Sequence, residues 1–181
     1  MRFRPTDLDG VFLIDLDVRR DSRGWFCRTF ELELFAEQGL ATEFPHHNLV
    51  FNETAGTLRG LHYQLPPRAE VKVVQCITGA IYDVLVDLRP DSPTYRRWEG
   101  FALEGPDRLL YVPIGFAHGY QVTKDSTMIS YLMGDVYAPE LQQGIRWDDP
   151  SLDITWPVPP VLNTRDANYP DVDWEEAWPA S

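Results

Sequence analysis

Residues 71–88, VKVVQCITGAIYDVLVDL, decide the fold class. Positions 71–77 are rich in β-branched side chains and run into Thr78-Gly79, a turn signal. Positions 80–88 then alternate: Tyr82, Val84, Val86 and Leu88 share one face, and Asp83 and Asp87 lie on the other. A repeat of two belongs to strands, so the stretch predicts two strands joined by a tight turn. Working outward, 108–112, 120–122 and 127–132 read as further strands. Between them stand Arg89-Pro90-Asp91-Ser92-Pro93, Gly105-Pro106, and Pro113 with Gly115. Upstream, 31–38 (ELELFAEQ) followed by Gly39 predicts a short helix with a glycine cap. Short strands at roughly ten-residue spacing predict an all-β antiparallel sandwich or barrel. The tail from Trp147 onward, rich in proline and tryptophan, reads as irregular chain laid over it.

Length and composition narrow the class. The chain has 181 residues, 44% of them apolar and 13% aromatic, which suits one globular domain spanning 1–181. No run of eighteen apolar residues is present, and the start (MRFRP) carries no apolar signal core, so no membrane association and a cytoplasmic location are expected. Cys27 and Cys76 lie 49 positions apart in no metal or redox spacing; unpaired thiols in a reducing compartment are expected, with a single disulfide as the alternative. A net charge of −12 argues against nucleic acid or an anionic membrane as partner. The basic residues are 14 arginines and two lysines, Lys72 and Lys124, so a small anion held by a few local cations fits the composition.

Three segments carry chemistry: 56–64 (GTLRGLHYQ), 70–72 (EVK) and 113–119 (PIGFAHG). Their spacing resembles the two signature motifs of the cupin superfamily, in which a glycine precedes the first histidine by six and P-x-G-x-x-H closes the site. Metal-binding cupins place His-x-His, a carboxylate and a last histidine there. The corresponding positions read His62, Gln64, Lys72 and His118. An ammonium group is a very poor ligand for a divalent cation, and two histidines alone make a weak site, so no metal is expected. A neutral imidazole beside an ammonium suits removal of a proton from carbon, the cation stabilising the enolate oxygen.

The runs GTLRGLHYQLPP, EVKVVQCITGAIYDVLVDLR, SPTY, LYVPIGFAHG, YAPE and GIRWDDP are similar to those of the dTDP-4-dehydrorhamnose 3,5-epimerase family, in its order and spacing, over about residues 10–170. The resemblance implies a cupin-type jelly-roll β-barrel with a short helix, a homodimer and no cofactor. The implied substrate is a nucleoside diphosphate 4-keto-6-deoxy-hexose, most simply dTDP-4-dehydro-6-deoxy-D-glucose. The reaction it implies inverts C3 and C5 through proton abstraction beside the C4 ketone. It implies His62 as proton acceptor, Asp166 as the carboxylate that pairs with it, and Tyr131 as proton donor from the opposite face. Lys72 and His118 match residues near the sugar, Lys72 being placed by its charge for the C4 oxygen. Arg59 and Arg23 match arginines on the pyrophosphate and sugar, Tyr137 the ring that stacks on the base, and Asn48 an asparagine near the nucleotide. Phe26, Arg28, Gln64, Gln142 and Arg165 complete the implied substrate-binding set. Arg28, Gln142, Arg165 and the segment His46-His47-Asn48 depart from the common pattern, and these changes concern the nucleotide.

Each candidate has a plainer reading. His118 divides between bracing the site and touching substrate, Arg23 between a loop arginine and a phosphate clamp, and Tyr131 between packing and proton transfer. Asp166 reads alternatively as a turn residue, Trp147-Asp148-Asp149-Pro150 as a loop anchor, and Cys76 as core. The rival functions are an epimerase acting at one carbon only or on a CDP- or GDP-linked sugar, a metal-dependent cupin oxygenase, and a non-catalytic sugar-nucleotide-binding module.

Overall fold

The computed structural model describes residues 1–179; positions 180 and 181, the end of the expected domain, lie outside the described residues. The N-terminal part carries β1 (Arg2–Pro5), β2 (Phe12–Asp15), β3 (Arg19–Asp21), β4 (Gly24–Phe26) and helix α1 (Leu32–Glu37). Next come β5 (His46–Asn52), β6 (Leu58–Gln64), β7 (Lys72–Thr78), β8 (Ala80–Asp87) and β9 (Trp98–Glu104). The chain continues through β10 (Arg108–Val112), β11 (Phe116–Val122), β12 (Thr127–Met133), β13 (Gln142–Gly144) and helix α2 (Thr164–Ala167). Two antiparallel sheets result, one ordered β1-β2-β10-β7-β12-β5 and the other β13-β6-β11-β8-β9, with β3-β4 as a separate hairpin. This is the expected jelly roll.

Side-chain alternation builds three apolar layers. Val74, Cys76, Ile81, Leu85, Leu110, Phe116, Tyr120 and Ile129, drawn from both sheets, fill the space between them. Val84, Val86, Leu88, Leu61 and Ala117 form the outer face of the five-stranded sheet, where the C-terminal tail covers them with Ile154, Trp156, Val172, Trp174 and Trp178. The outer face of the six-stranded sheet is closed by α1, whose Phe35 is fully buried with Phe3 and Phe30 edge-on at 5.5 and 4.9 Å. Burial of such a side chain contributes about 1.5–3 kcal/mol. Gly39, at φ +70°, ends α1 in the left-handed conformation that a glycine adopts without strain.

The structure bears out the two faces of β8 and adds where the polar one points. Asp83 and Asp87 are both fully buried, because the polar face of that strand points into the barrel and not to water. Asp87 is held by Arg89, Ser92 and Thr94, whose hydrogen bonds overcome the burial that pushes its carboxyl up and keep it below the usual carboxylate range. β11 begins at Phe116, earlier than 120, since Gly119 extends the strand where its sequence suggested a loop. The tail is irregular as expected except for α2, which Asn163 caps by accepting from the Asp166 amide at 2.7 Å. Asp149 also acts as an anchor, accepting from the Ser151 and Val172 amides at 2.7 and 2.6 Å. Among the described residues no helix is long and apolar enough to cross a membrane.

Candidate active site

A cavity of about 550 Å³ opens at one end of the space between the sheets. Its most informative wall is β6. Between His118 and Tyr120 on β11, which pair with His62 and Arg59, the register shifts by one residue, so β6 carries a bulge at Gly60 and Leu61. In a regular strand, residues three apart face opposite ways; here Arg59 and His62 both line the cavity. Only glycine fits at position 60. A side-chain carbon there would meet the Gly119 Cα at 2.5 Å and the His118 carbonyl at 2.9 Å, and φ is +124°. The R-G-L-H motif is therefore the device that aims a guanidinium and an imidazole at one ligand.

His62 Nε2 lies 2.9 Å from Asp166 Oδ1. Burial pushes the Asp166 carboxyl up, but hydrogen bonds from His62 and the Gly60 amide hold it below the usual carboxylate range. An ionised carboxylate on Nε2–H fixes the tautomer, leaving Nδ1 as the proton-accepting nitrogen. His118, directly across from His62 in the register, makes a second such pair, with its Nε2 2.9 Å from Asp83 Oδ2. The other Asp83 oxygen is buried without a hydrogen-bond partner. Burial raises the Asp83 carboxyl against the opposing pull of His118 and Lys72.

On the facing sheet, β7 and β12 supply Lys72 and Tyr131. Lys72 Nζ is 3.2 Å from Glu70 Oε1, both side chains being nearly buried. Tyr131 stands between His118 and Tyr120, with ring centroids at 6.2 and 6.3 Å. Burial, reinforced by Tyr120 and Asp83, lifts its phenol well above the usual tyrosine range, so the hydroxyl keeps its proton at neutral pH.

The cavity mouth gathers Tyr137, Gln142 and Arg165. Gln142 Oε1 accepts from Tyr137 at 2.7 Å and from Arg165 at 2.6 Å, and Arg165 also donates to Tyr169 at 2.6 Å. Asn48 and Gln64 complete the lining among the expected residues. The Gln64 amide is committed to the chain nearby, donating to the Arg68 and Val136 carbonyls and accepting from the Ala138 amide at 2.8 Å. It braces the loop that presents Tyr137. Arg23, Phe26 and Arg28 are not brought to this cavity. They sit on or beside the exposed β3-β4 hairpin, where Arg23 pairs with Asp21 at 2.6 Å and Arg28 with Glu31 at 2.8 Å. Asp83, Asn163 and Tyr120 were given no site role from the sequence, and Glu70 stood there only as part of the 70–72 segment. Of these, Asp83 carried a usable signal, an acid inside an apolar strand.

The same positions answer the question of a metal. His62 and His118 each hold a carboxylate, Gln64 faces backbone carbonyls, and Lys72 brings a positive charge to the position a carboxylate ligand would take. An ammonium and a committed amide at two of these positions fit a divalent cation poorly.

The sequence model of the dTDP-4-dehydrorhamnose 3,5-epimerase family matches residues 5–173. A dTDP-4-dehydrorhamnose 3,5-epimerase of Methanothermobacter thermautotrophicus is 39% identical over 173 residues, covering 93% of this chain and 92% of the relative. A dTDP-4-dehydrorhamnose 3-epimerase of Streptomyces niveus is 37% identical over 169 residues, covering 92% and 81%. The solved structure of dTDP-6-deoxy-D-glucose-3,5-epimerase from Legionella pneumophila, in complex with dTDP-4-keto-L-rhamnose, superposes with a TM-score of 0.92 at 33% identity, covering 99% of this chain and 98% of that one.

Proposed function

The chain belongs to the dTDP-4-dehydrorhamnose 3,5-epimerase family, and from that premise we propose that His62 and Tyr131 are its base and acid. It is an isomerase that inverts C3 and C5 of dTDP-4-dehydro-6-deoxy-D-glucose to give dTDP-4-dehydro-L-rhamnose. The observation that carries the residue assignment is placement: His62, paired with Asp166 of α2, is on one sheet and Tyr131 on the sheet facing it, with the cavity between. Inversion demands that arrangement, because a proton returned to the face it left changes nothing. His62 takes the proton beside the ketone, and the electron pair of the C–H bond moves onto the C4 oxygen. Lys72, whose ammonium is drawn away from water, stabilises that oxygen. The ketone is its own electron sink, so the step balances without a cofactor. Tyr131 then protonates carbon from the opposite side, and the cycle repeats at the second position. Arg59 holds the pyrophosphate and Tyr137 stacks on the base.

Proton spectra recorded in deuterated water test this reading. With dTDP-4-dehydro-6-deoxy-D-glucose, two ring-proton signals, those of C3 and C5, are expected to vanish at comparable rates. Loss of only one would establish a one-carbon epimerase, and faster exchange in a CDP- or GDP-linked sugar would reassign the nucleotide.

A homodimer is part of the proposal. β5 is the open edge of its sheet and exposes Leu49 and Phe51, at 70% and 52%, beside cavity-lining Asn48 and Val50. Trp25 and Phe26 on the β3-β4 hairpin are exposed as well. A second copy that covers this apolar surface is a source of Arg23, Phe26 and Arg28 for the cavity mouth, which their own chain does not supply. Light scattering at assay concentration should give about twice the 20.8 kDa of one chain; a monomeric mass at full activity would sink the dimer. The interior shared by the two sheets supports treating the whole chain as one catalytic domain. The free thiols of Cys27 and Cys76 support a cytoplasmic setting.

A further inference from the structure

Beside Tyr131, at the inner wall of the cavity, lies a polar chain to which the proposed proton transfer assigns no role. Tyr120 is 2% exposed and sits in the apolar interior of the barrel. A buried hydroxyl in such surroundings calls for a partner. It donates to Asn52 Oδ1 at 3.4 Å, and the Tyr120 ring lies beside that of Tyr131, centroids 6.3 Å apart. The same Asn52 oxygen accepts from Arg59 Nε at 3.0 Å. The order is Tyr131, Tyr120, Asn52, Arg59, running from the reacting acid to a cavity-lining cation.

Resting on the assignment of Tyr131 as acid, we propose that Tyr120, packed ring to ring beside Tyr131, is the positioning residue that stabilises the phenolate Tyr131 leaves. At rest the Tyr120 hydroxyl donates to Asn52. When the Tyr131 O–H bond breaks and the new C–H bond forms, a phenolate remains in a low-dielectric site, which is costly without a donor. The Tyr120 hydroxyl then rotates about its C–O bond and donates to that phenolate. No covalent bond of Tyr120 changes, and Asn52 Oδ1 keeps the Arg59 hydrogen bond when Tyr120 leaves it. Water in the open cavity takes the proton from the His62 imidazolium and returns one to Tyr131 before the second carbon is treated, so no net proton is consumed. Burial keeps the Tyr120 phenol above the usual tyrosine range, so it is protonated and able to serve.

The test measures inversion and deuterium exchange separately in Tyr120→Phe, which retains the ring and its packing. A hydrogen bond to a charged acceptor is worth about tenfold to a hundredfold in rate, and that loss is expected in inversion alone. Exchange and KM should stay within about twofold, because His62 still removes and returns protons on its own face. The double variant Tyr120→Phe/Tyr131→Phe should invert no more slowly than Tyr131→Phe, since one hydroxyl acts through the other. Asn52→Asp supplies an independent probe if Tyr120→Phe fails to fold. Its carboxylate holds the Tyr120 proton away from Tyr131 and should lower the inversion-to-exchange ratio too. A wild-type ratio in the folded variants overturns the role of Tyr120 while leaving Tyr131 in place. A wild-type ratio in Tyr131→Phe overturns the acid itself.

Discussion

His62→Ala should stop deuterium uptake at both C3 and C5, by about 10³–10⁴-fold, while the nucleotide sugar still binds. The size follows from what is lost. The cavity contains one imidazole whose carboxylate partner is held ionised at neutral pH, the Asp166 of α2. With alanine at 62 that carboxylate faces empty space, and water must remove a weakly acidic carbon-bound proton. His118, across from His62, is a poor substitute: burial pushes its Asp83 partner up where Asp166 is held down, so an imidazolium at 118 is less stabilised. The binding groups Arg59, Arg165 and Tyr137 are untouched, so KM should move little. Exchange at the wild-type rate in His62→Ala would eliminate the base assignment outright.

Tyr131→Phe should separate two processes that run together in the native enzyme. Inversion is expected to fall by about 10²–10³-fold. Exchange without inversion should persist, since His62 can return a deuteron to the face from which it took the proton. Phenylalanine keeps the ring contacts with His118 and Tyr120, which isolates the hydroxyl as the cause. The product to look for is labelled but stereochemically unchanged substrate. If labelled substrate and inverted product declined together, Tyr131 would be placing the sugar and not protonating it.

The sheet architecture was legible in the sequence because alternation and turn residues are local signals. β7 and β8 follow directly from 71–88, with their turn at Gly79. His62 and its neighbours were legible through spacing, and Lys72 through the mismatch of an ammonium with a ligand position. What the sequence hid is set by packing. Asp83 alternates with apolar residues whichever way the strand faces, and only the second sheet turns it inward. α2 is four residues long, too short for a periodic pattern, so Asp166 rested on resemblance until the Asn163 cap placed it. The bulge at Gly60 is a matter of register between strands, which no single segment encodes. Tyr120 reads as ordinary strand aromatic, and its value comes from Asn52 and Tyr131 on the opposite sheet.

With the proposed base and acid on different sheets, the distance between them follows the spacing of those sheets. Leu85, Leu110, Phe116 and Ile129, core residues that do not line the cavity, act as spacers for that gap. Stereochemical fidelity then becomes a mechanical property of the core. A close-packed interior resists compression and holds the span constant between the first inversion and the second. Side chains suited to close packing thus also set how often a sugar leaves half-turned.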